Sequence, residues 1–385
     1  MLVLIFIILG LVLAVKYNRM PVVLCYWFCC LCLMMLSANE GIEAAFQILG
    51  KPSDTRLYFE AFQANFENVS SYLFYHYPLF LKYLIYPFDN AYLALIGQCA
   101  VLVAVTLWVL RDSHNIFYLL VLLNHTVVYT ATNFFKDNYL LVLVLLTIGL
   151  LSRMDWRFGK SALIVLCILV MAKLRPFCML FMPLAAIPYM FDNDNAKVRW
   201  LFWVVSITAL GTILITQWGT ISYVATSWSA DASVGTTGFS IASVPKIILG
   251  PTPFHYFYHD SHFAQPFLDS HGTALMLLHF IYYIILAFFV VLVIKNINIW
   301  RLFIFKCHAA IFSLSIGLSI MLVYMVAYGS ADIRQRAIIL GLLFVGFALA
   351  ATKPGGRWDY SISKEQWVWP GGLCMMFYLV SVVAI

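Results

Sequence analysis

Of 385 residues, 63% are hydrophobic and 10% charged, and the mean hydropathy is +0.91. So little polar surface cannot cover a soluble globule, which is nearer roughly half apolar and a quarter charged. The chain reads as an all-α polytopic membrane protein, a single transmembrane domain over 1–385, and its net charge of +6 does not imply nucleic acid because the cations sort along the chain by membrane side.

In chain order, the opening MLVLIFIILGLVLAVKYNR has neither a basic start nor a small-residue cleavage site and reads as a retained span. Cutting at charges and turn residues then predicts helices near 1–15, 20–37, 89–110, 115–134, 138–152, 161–174, 176–191, 199–217, 273–294, 302–328, 337–352 and 367–385, about twelve spans in all. The stretch 161–191 divides at KLRPF, because the residue before a proline is pushed out of the α region. Two long outer loops remain, 38–88 and 218–272, both mixing aromatics, prolines and histidines and predicted to carry short interfacial helices.

Charge supports that division. With an external N-terminus, the alternate segments assigned to the cytoplasm hold fourteen of the twenty-three cations, including Lys16, Arg19, Arg111, Arg153, Lys295 and Lys364. The nine cysteines all fall inside apolar segments without metal-ligand or disulfide spacing and read as small buried hydrophobes.

Nine cations stand on the outer side against that rule. Five gather at three helix ends: FFKDN (Lys136, beside Asp137), AKLRPF (Lys173, Arg175) and ADIRQRAI (Arg334, Arg336). Arg175 falls at the tip of a hairpin of short helices, where an ionisable residue normally faces protein or a wet cavity. Pairing with one another, with Asp332 or with lipid phosphates is the structural explanation. The functional one is that arginine forks converging in a membrane site receive a phosphate or pyrophosphate.

Two further groups stand out. In SDTRLYFE, helical spacing puts Asp54 and Tyr58 one turn apart, with Arg56 and Glu60 beside them; helix capping by Ser53 or Asp54 is the alternative. His255, His259 and His262 with Asp260 offer an i, i+4 pair but no HExxH glutamate, and GPTPF argues against a regular helix there, so interfacial aromatics with polar tips fit better than zinc. His125 and His279 read as hydrogen-bonded interior residues. There is no Gly-rich phosphate loop or nucleophile elbow, so any reaction must be driven by an activated substrate.

An acid with a tyrosine four residues on, then YHYPLFLKYL, KDNYLLVLVLL, LRPFCMLFMPL and RQRAIILGLL, together resemble the bacterial polysaccharide (O-antigen) polymerases of the Wzy/EpsG type over about 50–190 and 325–350. The chain departs from them where Phe177 and Cys178 replace a histidine after the middle arginine, which weakens a carried-over base on that helix. The broader GT-C glycosyltransferases, which place an essential acid in the first outer loop, resemble it nearly as well.

The resemblance implies a glycosyltransferase in the bacterial inner membrane, its site facing the periplasm. It would need no metal or other cofactor. Its substrate would be an undecaprenyl-pyrophosphate-linked oligosaccharide, used in lipopolysaccharide and related polysaccharide biosynthesis, and its partners membrane lipids and a chain-length regulator. Arg175, Arg334 and Arg336, with Lys136 and Lys173, would stabilise the pyrophosphate leaving group. Asp54 would activate the acceptor hydroxyl, with Glu60 or Asp137 behind it. Arg56 and His255 would help bind substrate, and Tyr58, Tyr75, Tyr77, Phe254 and Tyr256 would stack on sugar rings. Two alternatives stay open: a GT-C enzyme moving one sugar from a polyprenyl phosphate, and a lipid-glycan flippase without chemistry. The flippase sits less well with a chain that shows no internal duplication and gathers its unusual charges at one face.

Overall fold

A computed structural model describes residues 2–39, 54–63, 76–153, 157–174, 243–250, 269–298, 307–328, 333–352, 358–363 and 365–383. Every regular element among them is helical. In chain order these are α1 (Leu2–Lys16), α2 (Met20–Asn39), α3 (Asp54–Gln63), α4 (His76–Ile85), α5 (Ala91–Val109), α6 (Asn115–Leu122), α7 (His125–Ala131), α8 (Lys136–Arg153), α9 (Arg157–Leu174), α10 (Ser243–Leu249), α11 (Asp269–Lys295), α12 (His308–Tyr328), α13 (Ile333–Ala351) and α14 (Val368–Val383).

Three of these are long and apolar enough to cross a membrane: Ala91–Val109, Gly272–Lys295 and Arg334–Ala351. The pair His125–Ala131 and Lys136–Ser152 passes the same test as one broken span, bent by 111°. Leu2–Lys16, Met20–Leu36, Ala162–Met171, Ala309–Leu322 and Val368–Val382 are shorter apolar helices. The predicted spans 176–191 and 199–217 lie outside the described residues, as does most of the loop 218–272.

The outside of the bundle is as apolar as its inside. On α1, Leu4, Ile8, Val12 and Val15 are exposed; on α9, Leu163, Leu166 and Leu169; on α11, Leu277, Ile281 and Ile284. A continuous apolar surface of this kind is what a hydrocarbon environment covers. Of the three long spans, α5 and α13 are the more buried. The latter packs on α6, α7, α8 and α12, so it forms the hub of the core. Small residues make that approach close: an ideal Cβ at Gly341 of α13 would lie 3.0 Å from Leu141 of α8.

One predicted span is divided. Over 115–134 the apolar run reads as a continuous helix, but α6 stops at Leu122 and α7 begins after Asn124. The Asn124 side chain accepts from the Thr126 N–H at 3.0 Å and from its hydroxyl at 2.8 Å, which starts a new helix in place of prolonging the old one. The first outer loop carries the two short helices α3 and α4, whose inner faces bury Tyr58, Phe59, Phe62, Tyr77 and Leu81 in the core. Phe59 and Phe62 both meet the Phe134 ring, at 5.5 and 5.6 Å.

The two ends of the bundle differ in character. At one end Arg19 donates to the Ser113 carbonyl at 2.8 Å, Lys295 pairs with Asp359 at 2.6 Å, and His114 stacks on Tyr360 at 4.0 Å. The opposite end holds Lys136, Arg334 and the aromatic helices α3 and α4.

Candidate functional site

The site grows from the bend between α7 and α8. A sharp bend frees helix-end carbonyls, which within a membrane must be satisfied by protein. Side chains do so here. Thr130 Oγ1 donates to the Thr126 carbonyl at 2.6 Å, Thr132 Oγ1 to that of Val128 at 2.9 Å, and Asn133 Nδ2 to that of Tyr129 at 2.8 Å. Gln98, fully buried on α5, donates to the carbonyls of Ala131 and Asn133 and accepts from the Tyr77 hydroxyl at 2.9 Å. One carboxamide thus ties α4, α5 and the bend together.

On this support sits an aromatic rack. Tyr58 meets Tyr77 edge-on at 5.0 Å, and Tyr77 meets Tyr139 at 5.7 Å. The Lys136 ammonium lies 5.7 Å from the centre of the Tyr58 ring. On the next helix, the Arg334 guanidinium lies 5.8 Å from the centre of the Phe135 ring. Asp137 is buried, at 1% exposure.

Helices α8 and α13 run in the same direction. Arg334 meets Phe135 where both helices begin, and Gly341 meets Leu141 further along both. Their N-termini therefore lie side by side, each presenting the equivalent of about half a positive charge. First turns usually carry acids for that reason. Here they carry Lys136, Arg334 and Arg336 against one acid, Asp137. Paired positive helix ends with three cations make a strongly anion-attracting place.

Arg334 and Arg336 leave α13 in different directions, as residues two apart on a helix do. Arg334 lies one face with Gly341, toward α8. Arg336 is buried at 6% and turns toward α10 and α11. There Gly250, in the left-handed region at φ +80°, is so close that an ideal Cβ would lie 2.5 Å from Arg336 Nη1 and 3.1 Å from His279 Cε1. His279 Nε2 is 2.6 Å from the Leu249 carbonyl, and its ring stacks on that of His125 at 3.8 Å. Tyr282 donates to the Ile248 carbonyl at 2.9 Å. His279 is seven residues, about 10 Å of helix, inside the apolar span that begins at Gly272, so this second group is recessed.

Comparison with known protein families, curated proteins and solved structures finds no match.

Several residues singled out in the sequence meet in space: Tyr58, Tyr77, Lys136, Asp137 and Arg334 at the bend, with Arg336 on the far side of α13. Lys173, exposed at the end of α9, lies near enough to His76 that, after partial burial, its charge is the second cause holding that imidazole below its ordinary pKa. Glu60 is exposed on α3. The rings of Tyr58 and Tyr77, expected to stack on sugars, are instead 1% exposed and covered by other rings. Arg175, Tyr75, Phe254, His255 and Tyr256 lie outside the described residues, as do the side chains of Asp54 and Arg56.

Sequence reasoning missed Gln98, Asn124, Asn138 and Gly250. Their signal was faint: single carboxamides in apolar runs, and a glycine before a proline. Among the described residues no group of three His, Cys, Asp or Glu is placed to hold a metal ion.

Proposed function

We propose that this protein is a glycosyltransferase of the polysaccharide-polymerase kind, built on about twelve spans. It would act at the outer face of a bacterial inner membrane on polyprenyl-pyrophosphate-linked oligosaccharides. The observation that carries the reading is the pair of parallel helix N-termini with basic first turns, Lys136 on one and Arg334 and Arg336 on the other. Such a place suits a diphosphate, whose oxygens accept from guanidinium forks and free helix N–H groups.

In the reaction, an acceptor sugar hydroxyl attacks the anomeric carbon of the donor glycan. The bond from that carbon to the pyrophosphate oxygen breaks, and the electron pair leaves with the lipid pyrophosphate. Lys136, Arg334 and Arg175 stabilise the charge that develops on it, and Arg336, turned to the far side of α13, adds its field from behind. The acceptor proton passes to a carboxylate, either Asp54 at the start of α3 or the buried Asp137. Transfer of one sugar from a polyprenyl phosphate would draw on the same cations, and product size separates the two reactions.

The test is incubation of the purified full-length protein, in lipid nanodiscs, with an undecaprenyl-pyrophosphate-linked oligosaccharide, resolving products on a gel. A ladder of repeat lengths is expected, and a single addition would instead support the one-sugar reaction. Arg175→Ala and Arg334→Ala should each cut product by about a hundredfold or more, with normal insertion and abundance, and Arg336→Ala by less. Full activity in both of the first two variants would remove the leaving-group assignment.

A further inference from the structure

Resting on the glycosyl-transfer reading, we infer that Asn138 forms a subsite for a hydroxyl of the sugar that adjoins the pyrophosphate. Asn138 is in the first turn of α8, two residues after Lys136, and is 2% exposed. Neither its Oδ1 nor its Nδ2 has a hydrogen-bond partner among the described residues. Its backbone N–H is turned back to the Phe135 carbonyl at 3.3 Å, so the side chain is not spent on capping. The next residue, Tyr139, also has a buried hydroxyl without a partner among the described residues.

Position gives the carboxamide its direction. Asn138 lies one turn before Leu141, and Leu141 is the residue that meets Gly341 of α13. Seven residues before Gly341, two turns along the same face, is Arg334. Asn138 and Arg334 therefore border one seam, at the end where the two N-termini adjoin. A buried carboxamide left unpaired is costly in a core that could hold leucine in its place. Nature keeps such a group where something else completes it.

The chemistry of the group selects the ligand. A phosphate oxygen only accepts, so it would satisfy Nδ2 and leave Oδ1 facing negative charge. A sugar hydroxyl both donates and accepts, and two neighbouring hydroxyls answer Oδ1 and Nδ2 together. With cations on either side for the diphosphate, the group Asn138 can reach is the first sugar attached to it.

The experiment measures binding of two probes to the full-length protein in nanodiscs: undecaprenyl pyrophosphate alone, and the same lipid carrying one N-acetylglucosamine. Wild-type protein should prefer the glycosylated lipid. Asn138→Leu should weaken its binding about tenfold, the size of one lost hydrogen-bonding group, and leave the bare lipid unchanged. Because leucine replaces an unpaired carboxamide, the variant should unfold at the same temperature as wild type or higher; Asn138→Ala, which adds no new contact, should show the same selective loss. Equal loss for both lipids, or no loss for either, would overturn the sugar subsite while leaving the pyrophosphate site in place. Wild-type protein that binds neither lipid would overturn the functional reading itself, and the subsite with it.

Discussion

The two ends of the bundle use the same kinds of residue under opposite conditions. At the Lys295 end, charge is exposed and paired over short distances. The Lys295 ammonium meets Asp359 at 2.6 Å and donates to the Ser361 carbonyl and hydroxyl, and Asp359 in turn accepts from the Ser361 N–H at 2.9 Å. Those bonds hold the Asp359 carboxyl well below its ordinary pKa, with Lys295 the largest cause. Water can replace any of these contacts, so each is worth little alone. At the Lys136 end, Asp137, Asn138, Gln98 and Arg336 are enclosed by helices, where an uncompensated polar group is expensive. The first arrangement fastens a surface segment. The second encloses polar groups where each depends on protein for its partners.

That contrast can be broken at three places, in falling order of effect. Gln98→Leu removes the donor to two carbonyls at the bend and the acceptor for Tyr77. It should destabilise the protein by about 3 kcal/mol, read from thermal unfolding in lipid, because several buried groups lose their partner at once. A loss below about 1 kcal/mol would mean that the bend is held without it.

Gly250→Ala should cost about 1–2 kcal/mol through the left-handed backbone alone, and more from crowding against Arg336 and His279. An unchanged unfolding midpoint would show that this turn does not rest on α11 and α13 in solution.

The smallest effect is at the other end. Burial, then the Arg19 charge, holds His114 below the ordinary histidine pKa. A group whose folded pKa is lowered stabilises fully above its unfolded value, about 6.5, and less as acid protonates the unfolded state first. Protection factors for hydrogen exchange across 358–363, corrected for the intrinsic pH dependence of amide exchange, should therefore fall as pH drops from about 7 toward 5, and His114→Gln should flatten that trend. Protection factors independent of pH in wild-type protein would detach His114 from the fastening of that segment.

How much was legible in the sequence depended on the kind of signal. Helix ends marked by charge were read closely: Lys16, Lys136, Arg153, Leu174 and Lys295 all fall at or beside observed ends. The meeting of FFKDN with RQRAI was also accessible, since cations that break the orientation pattern need a common reason. The break at Asn124 was not, because one carboxamide in an apolar run changes hydropathy hardly at all, and its capping bonds are a local matter of backbone geometry. The burial of aromatics from the first outer loop was hidden for a related reason. Aromatic side chains with polar tips suit a membrane interface and a protein core equally, and the Gln98 bond with the Tyr58 and Tyr139 rings holds Tyr77 in the core. The opposed directions of Arg334 and Arg336 follow from helix geometry, but the partners on each side come from segments far away in the chain.

The shared direction of α8 and α13 has a consequence for biosynthesis. Two neighbours that point the same way cannot be joined by a tight turn, and Lys136 and Arg334 are separated by roughly two hundred residues. At ordinary rates of translation the second positive helix end reaches the bilayer about ten to forty seconds after the first. A nascent chain thus carries one positive helix end without the other for about half of its synthesis, and the pair is complete only when nearly its last helices have been inserted.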